Sequence, residues 1–371
     1  MTRSVTAAVA VEALRTEIQH FPFPEVAPDD GVLEVEVAGV CGTDWEIYQR
    51  ESRGRNLGPL ILGHENVGRI AAVGDAAAAR WGVSPGDRVV VEEFLPCGHC
   101  KWCRSGRGWL CEATDSRGSS PFRRYGSTSI EVPPSLWGGF GEYLYLHPNS
   151  IVHRVDDDLP DELAALFVPI SNGLRWVLDV GGGTVGGSIL IQGPGQHGLG
   201  CVVAAAAAGM MTIVVSGLSD DRRLEVAREL GAHHTIDAGA EDVVDRVRDV
   251  TEGRGVDVVI DLAPGAPGTV ESAVAAAAKG GVVVLAASKH DRPIAGFSND
   301  TVVRRELTVR GVRGRDPASV ERALELIASR RFPLELMSTH SFGLRDVDKA
   351  LRLVGERWDP AAIHVNVVPV R

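Results

Sequence analysis

The sequence predicts an α/β protein in two parts, a β-rich part and a doubly wound parallel sheet. Three observations carry this. Period-two runs broken by Gly, Pro and Asp dominate the first 150 or so residues. From Asp161 onward, apolar strands alternate with helical segments. A Gly-x-Gly-x-x-Gly stretch joins one of those strands to one of those helices. At 371 residues the chain is also too long for one ordinary domain.

The β-rich part is assigned to 1–160. Val5 to Val11 is its first strand, and GVLEVEVAGV, VGRIAAVG and PGDRVVVEEF are further strands and turns. Arg104 to Pro134 is polar and reads as a long loop. Its Arg117, Arg123 and Arg124 read as a solvated face rather than an anion site.

The parallel sheet is assigned to 161–310. DELAALFV opens a helix. SILIQG is a continuous apolar run, as a strand buried on both faces requires. LGCVVAAAAAG is a helix, TIVVS a strand, and DDRRLEVARELG a helix closed by Gly231. EDVVDRVRDVTEG, GVDVVIDLA, TVESAVAAAAKG and GVVVLAA continue the alternation. In the tail, 311–371, SVERALELIASRRF places Val320, Leu324 and Ile327 on one helical face. DVDKALRLV does the same with Val347, Ala350, Leu351 and Val354, and AAIHVNVVPV is a closing strand. The tail is expected to rejoin the β-rich part.

A formal net charge of −11 argues against nucleic acid and anionic membrane surfaces, which need a basic face. No run is read as approaching the roughly 18 apolar residues of a membrane span, and the start lacks a signal-peptide core. A cytoplasmic, reducing compartment is the expectation. There, clustered cysteines serve metals more often than disulfides.

One such cluster is PCGHCKWCRSGRGWLC. Cys97, Cys100, Cys103 and Cys111 have the short spacing that lets one loop, 97–111, wrap a structural zinc with four thiolates. A disulfide-bearing loop is the competing reading. A closed site does no chemistry, so the reaction is sought elsewhere. GVCGTDWE and ILGHENVG supply Cys41, His64 and Glu65. A thiolate, an imidazole and a carboxylate with one position left open are the donors of a catalytic zinc.

GPGQHG holds Gly193, Gly195, Gln196, His197 and Gly198 between the strand SILIQ and a helix. The first glycine permits a tight turn, the second lets a pyrophosphate approach, and the third lets helix pack on strand. The next strand ends at Ser216 and Gly217, with no acid at its tip for a ribose hydroxyl. Arg222 and Arg223 suit a 2′-phosphate, whereas Asp220 and Asp221 would suit a ribose. The balance favours NADP over NAD.

In order along the chain, CGTD, GHE with Gly68, PGDRV, the four-cysteine loop, GGFGEY and GPGQHG resemble the medium-chain zinc alcohol dehydrogenases, which include polyol, sorbitol and threonine dehydrogenases. The resemblance spans essentially the whole length. It implies a GroES-like catalytic domain in two segments around a Rossmann domain, one structural and one catalytic zinc, and a homodimer or homotetramer. It implies that Cys41, His64 and Glu65 hold the catalytic zinc, that Thr43 relays the alcohol proton, and that Asp44 orients His64. Hydride would pass between a carbinol carbon and the nicotinamide.

Two departures stand out. Many members have a His two residues after the CGTD-type motif, where this chain has Glu46. Polyol-type members carry a Glu that reaches the zinc where this chain has Val168, in LFVPISNG; Ser171 and Asn172 lie close by but read as capping residues. The leading expectation is a zinc-dependent dehydrogenase of a secondary alcohol, polyol or ketone. The alternatives are a zinc-independent NADPH reductase of a conjugated double bond and a non-catalytic dinucleotide-binding protein. Trp45, Tyr48 and Trp137 read as core rather than pocket lining.

Overall fold

The alternating segments of the first half become strands in a computed structural model that describes residues 3–49, 58–114, 123–218 and 221–369. Two compact units result. One joins Met1–Phe167 to Ser338–Arg371, and the other is Val168–Met337.

In the first unit, Arg15–Pro22, Ser4–Glu12 and Leu60–Ile61 form a small antiparallel sheet in that order. A larger sheet runs Ser338–Phe342, His364–Val367, Gly31–Val40, Glu65–Val73, Arg88–Val91, Val152–Arg154, with Tyr143–Leu146 also paired to Gly31–Val40. Its centre is Gly31–Val40, whose apolar side chains are buried while Glu34 stays exposed. Val9, Leu33, Leu62, Trp137, Phe140 and Val365 share one core. Each fully buried aliphatic or aromatic side chain of this kind contributes roughly 1.5–3 kcal/mol. Tyr48 and Trp137 are core residues, and Trp45 packs over Gly355, where a Cβ would lie 2.0 Å from the indole. The closing strand His364–Val367 pairs with Gly31–Val40, and Ser338–Arg371 belongs to the β-rich unit.

The second unit is a six-stranded parallel sheet. Its order is His234–Asp237, Thr212–Gly217, Ser188–Gln192, Val256–Asp261, Ala277–Leu285, Thr308–Gly311, the 3-2-1-4-5-6 arrangement of a dinucleotide-binding fold. The order reverses between Ser188–Gln192 and Val256–Asp261, and ligands bind such sheets beyond the carboxyl ends at that point.

Three readings of the sequence differ from the structure. The boundaries lie at 167/168 and 337/338 rather than near 160 and 310. Helix Pro317–Ala328 stays with the parallel sheet because Arg322 pairs with Asp179, while Arg175 bonds the Gly314 carbonyl at 3.1 Å and faces Asp316 at 3.5 Å. TVESAVAAAAKG is not one helix: it ends at Ala276, and Ala277 already belongs to a strand. Finally, Asp161–Val180 is long and apolar enough to cross a membrane by length and composition. Of its most apolar window 89% is buried inside the protein, the burial of a core helix.

Candidate active site

Cys41 ends the strand Gly31–Val40 and caps the helix Gly42–Tyr48. Asp44, the third residue of that helix, reaches back so that its Oδ2 accepts the Cys41 N–H at 2.9 Å. Its Oδ1 accepts the Gly63 N–H at 3.1 Å and lies 3.2 Å from His64 Nδ1. Asp44 is fully buried, so these contacts are what make its charge tolerable. They also fix the ring of His64 with Nε2 turned away from Asp44.

Glu65 starts the next strand, and its register places it opposite Gly39. Its Oε2 lies 3.1 Å from His364 Nε2, and both side chains are fully buried. Among the described residues, Nδ1 of His364 has no hydrogen-bond partner. A neutral ring therefore best carries its proton on Nε2 and donates it to Glu65, since an unmade donor costs more than an unmade acceptor here. Gly39 is required for this pair: a Cβ there would stand 2.3 Å from Glu65 Oε2 and 2.8 Å from His364 Nε2. Cys41 Sγ and a Glu65 carboxylate oxygen approach within 4.8 Å.

Glu93 is a member of this cluster that the sequence reading passed over. Its Oε2 is 3.3 Å from His64 Nε2 and 2.9 Å from Arg124 Nη2. The signal was present: PGDRVVVEEF ends a fully buried strand in two acids. Successive residues of an extended chain face opposite ways, and Glu92 turns instead to His153 at 2.9 Å. Burial pushes the His64 imidazole down, but Asp44 and Glu93, then hydrogen bonds from Asp44 and Cys41, outweigh it and hold it well above the usual histidine value.

Arg124 is thus not part of a solvated face. It is largely buried, paired with Glu93 and stacked over Phe94 at 4.7 Å. Arg123 lies 3.4 Å from His147 and 6.0 Å from the Trp137 ring centre. Arg117 lies outside the described residues. Thr43 and Glu46 are half-buried in the helix that follows Cys41.

The four-cysteine loop gathers its thiols within 4.8 Å of one another. Cys100 and Cys103 are 3.6 Å apart, Cys97 and Cys103 4.0 Å. Four thiolates around a tetrahedral ion at about 2.3 Å would stand about 3.8 Å apart. None of the four is in a disulfide. The Cys103 N–H holds the Cys100 thiol down to about 6, whereas burial pushes Cys103 up to about 12. Burial also pushes Cys111 up, but the N–H groups of Cys97 and Ala113 outweigh it and bring it below the usual thiol value. The donor set fits zinc.

In the other unit, Gly193 follows the strand Ser188–Gln192 with φ +106°, and Gly195 caps the helix Gln196–Ala207. A Cβ at Gly198 would meet the Gly193 carbonyl at 1.9 Å, so that glycine lets helix meet strand. A Cβ at Gly195 would meet nothing within 4 Å. That open space beside a helix N-terminus fits a pyrophosphate. Gln196 is buried, and His197 Nδ1 is 3.5 Å from Asn172 Nδ2 and packs on Trp176. Ser216 and Gly217 end the second strand, and Gly217 sits against Pro194. Arg222 faces Glu225 at 3.7 Å, and Arg223 is buried. Asp220 and the Asp221 side chain lie outside the described residues. Val168 is buried, and Ser171 bonds the Val168 carbonyl within its own helix at 3.0 Å rather than capping an end.

The class that this fold and these motifs define is a dinucleotide-dependent oxidoreductase. The alcohol dehydrogenase GroES-like domain family matches residues 27–157, and the zinc-binding dehydrogenase family matches 198–329. A probable alcohol dehydrogenase of Mycobacterium tuberculosis is 37% identical over 371 residues, covering 99% of both chains. An L-threonine 3-dehydrogenase of Rhizobium rhizogenes is 30% identical over 335 residues, 89% of each. Among solved structures, an alcohol dehydrogenase of Thermotoga maritima superposes with a TM-score of 0.87 over 99% of this chain and 100% of its own, at 24% identity. A Sinorhizobium meliloti protein solved bound to NADP gives 0.83 over 99% and 100%, at 27%. The chain belongs to the medium-chain zinc-binding alcohol dehydrogenase family and is an oxidoreductase enzyme.

Proposed function

We propose that this enzyme interconverts a secondary alcohol or polyol and its ketone, depends on zinc, and uses NADP in preference to NAD. The observation that carries the reading is the buried triad of Cys41, Asp44 and His64, a thiol beside an imidazole that a carboxylate orients. Cys41, His64 and Glu65 would hold the catalytic ion, and Cys97, Cys100, Cys103 and Cys111 a structural one. When bound, the catalytic zinc supplies a Lewis acid worth several kcal/mol in stabilising developing negative charge on the substrate oxygen.

The chain's own residues do the rest. Asp44 fixes the His64 ring. His364 steadies the Glu65 carboxylate through Nε2–H. The Thr43 hydroxyl relays the alcohol proton, giving up its own as it accepts the substrate's, and Glu46 is the next acid–base group along that helix, in the place where relatives continue the relay with His. Gly193, Gly195 and Gly198 shape the turn that receives the pyrophosphate. The missing acid at Ser216 and Gly217, with Arg222 and Arg223 in the following helix, supports NADP. The alternative of a zinc-independent reductase of conjugated double bonds is favoured by one observation, Val168 in place of a carboxylate. We further propose a cytoplasmic homodimer or homotetramer.

The test is zinc per chain after dialysis, together with turnover of a panel of secondary alcohols with each dinucleotide. Two zincs and NADP-linked alcohol oxidation support the reading. One zinc, with reduction of enones instead, sinks it.

A further inference from the structure

We propose that Lys289 is a positioning residue for the dinucleotide: paired with Asp261, it holds Ala263 against the Gly193 turn. This stands only if that turn receives the dinucleotide, as read above.

Asp261 ends the strand Val256–Asp261 where the sheet order reverses, level with Gln192 on one side and Leu285 on the other. It is fully buried. Lys289 comes from the segment after the strand Ala277–Leu285, and its side chain is only 10% exposed. Its Nζ lies 2.7 Å from Asp261 Oδ2 and donates to Thr269 Oγ1 at 2.9 Å and to the Ala263 carbonyl at 2.5 Å. An ammonium has three protons, and these three partners take them all. Asp261 Oδ1 accepts the Ala263 N–H at 3.2 Å and the Thr269 hydroxyl at 2.9 Å.

Both backbone polar groups of Ala263 are therefore tied to one ion pair, the N–H to the acid and the carbonyl to the base. Ala263 and Leu262 in turn form a wall of the glycine turn. The Leu262 N–H bonds the Gln192 carbonyl at 2.8 Å. A Cβ at Gly193 would stand 3.0 Å from the Leu262 carbonyl oxygen and 3.4 Å from the Ala263 nitrogen. A shift of Ala263 is thus felt directly by the backbone that the first glycine bends.

Stability alone would not require charge here. Burying a carboxylate and an ammonium costs desolvation, and an apolar pair of similar volume often serves a core as well. What the charges add is direction, because each fixes a particular backbone group. The neighbouring bonds have the same effect. The Ser288 carbonyl accepts the Gly265 N–H at 2.9 Å, and Arg292 Nη1 donates to the Gly265 carbonyl at 2.9 Å. Immediately after Lys289, His290 and Asp291 both take positive φ, +55° and +57°, an uncommon conformation that persists where the surroundings impose it. A loop already held in one shape spares binding the cost of ordering it.

The experiment uses the whole protein, Lys289→Gln, and the double variant Asp261→Leu/Lys289→Met. It measures NADPH and NADH affinity by fluorescence, Tm, and hydrogen exchange of the Ala263 amide. The double variant removes both charges, so it should melt near wild type. It should nevertheless bind the preferred dinucleotide about 10-fold more weakly, the cost of re-ordering the loop on binding, and exchange faster at Ala263. Lys289→Gln, the milder change, carries the same expectation for affinity and exchange, and decides the matter if the double variant folds poorly. Wild-type affinity in the deciding variant, or weaker binding with an unchanged Ala263 amide, overturns the role of Lys289. A wild-type protein that binds neither NADPH nor NADH overturns the reading of the glycine turn instead.

Discussion

The four-cysteine loop and the Cys41–His64 cluster lie in the same unit, and each includes cysteine thiols, yet they are built in opposite ways. The loop draws Cys97, Cys100, Cys103 and Cys111 from one short stretch and holds them partly with its own backbone: the Cys97 N–H reaches Cys111 at 3.3 Å and the Cys100 N–H reaches Cys97 at 3.4 Å. The cluster draws Cys41, His64, Glu65 and Glu93 from three strand ends. Its partners, Asp44, Arg124 and His364, come from a helix, a loop and the returning tail. A brace needs only to be closed. A reactive site, as proposed for this cluster, must keep its donors oriented while one position stays available, and the surrounding hydrogen bonds would carry that task.

The sharpest break between the two is a pair of substitutions. Cys41→Ala should lower kcat/KM by at least about 10³, the several kcal/mol a Lewis acid contributes, while thermal melting stays near wild type. Cys103→Ala should do the reverse: one zinc lost, Tm down by roughly 5 °C or more, and much of the turnover kept at low temperature. Calorimetry and steady-state kinetics on both variants check this. If Cys103→Ala melts like wild type, the loop is no brace.

A smaller effect sharpens the comparison from the other side. Asp44→Asn keeps the shape but weakens an acceptor that serves two backbone N–H groups and His64. Affinity for the second metal should fall 10–100-fold with the cysteine-loop metal unchanged, read by chelator competition. Equal loss at both sites would mean that Asp44 supports the unit as a whole rather than His64.

What could be read in the sequence follows the same division. The thiol loop, the glycine turn and the strand–helix alternation are local patterns, and chain spacing alone exposes them. Cys41, Asp44 and His64 were legible as short motifs. Glu93 was visible only as an acid ending a buried strand, because its meaning depends on His64, 29 positions away. His364 reads as a lone histidine in an apolar run until pairing with Gly31–Val40 brings it to Glu65. The boundary at 337 was hidden for a related reason. Helix Pro317–Ala328 has an ordinary amphipathic pattern, and only the ion pairs of Arg175 and Arg322 assign it to the parallel sheet.

The smallest expected effect tests whether the loop's donor set is four thiols or three thiols and an imidazole. His99 lies between Cys97 and Cys100, where a Cys₃His zinc site could recruit it. It is exposed, and its Nδ1 lies 2.8 Å from the Cys97 carbonyl, outside the thiol group. Cys111 is buried and already completes the set of four. His99→Ala should therefore leave zinc per chain unchanged and move stability by no more than about 0.5 kcal/mol, the range of an ordinary surface substitution. Loss of one zinc in that variant would show that the imidazole is a ligand and that one thiol of the loop is free. The contrast between a self-contained brace and an assembled site would then have to be redrawn.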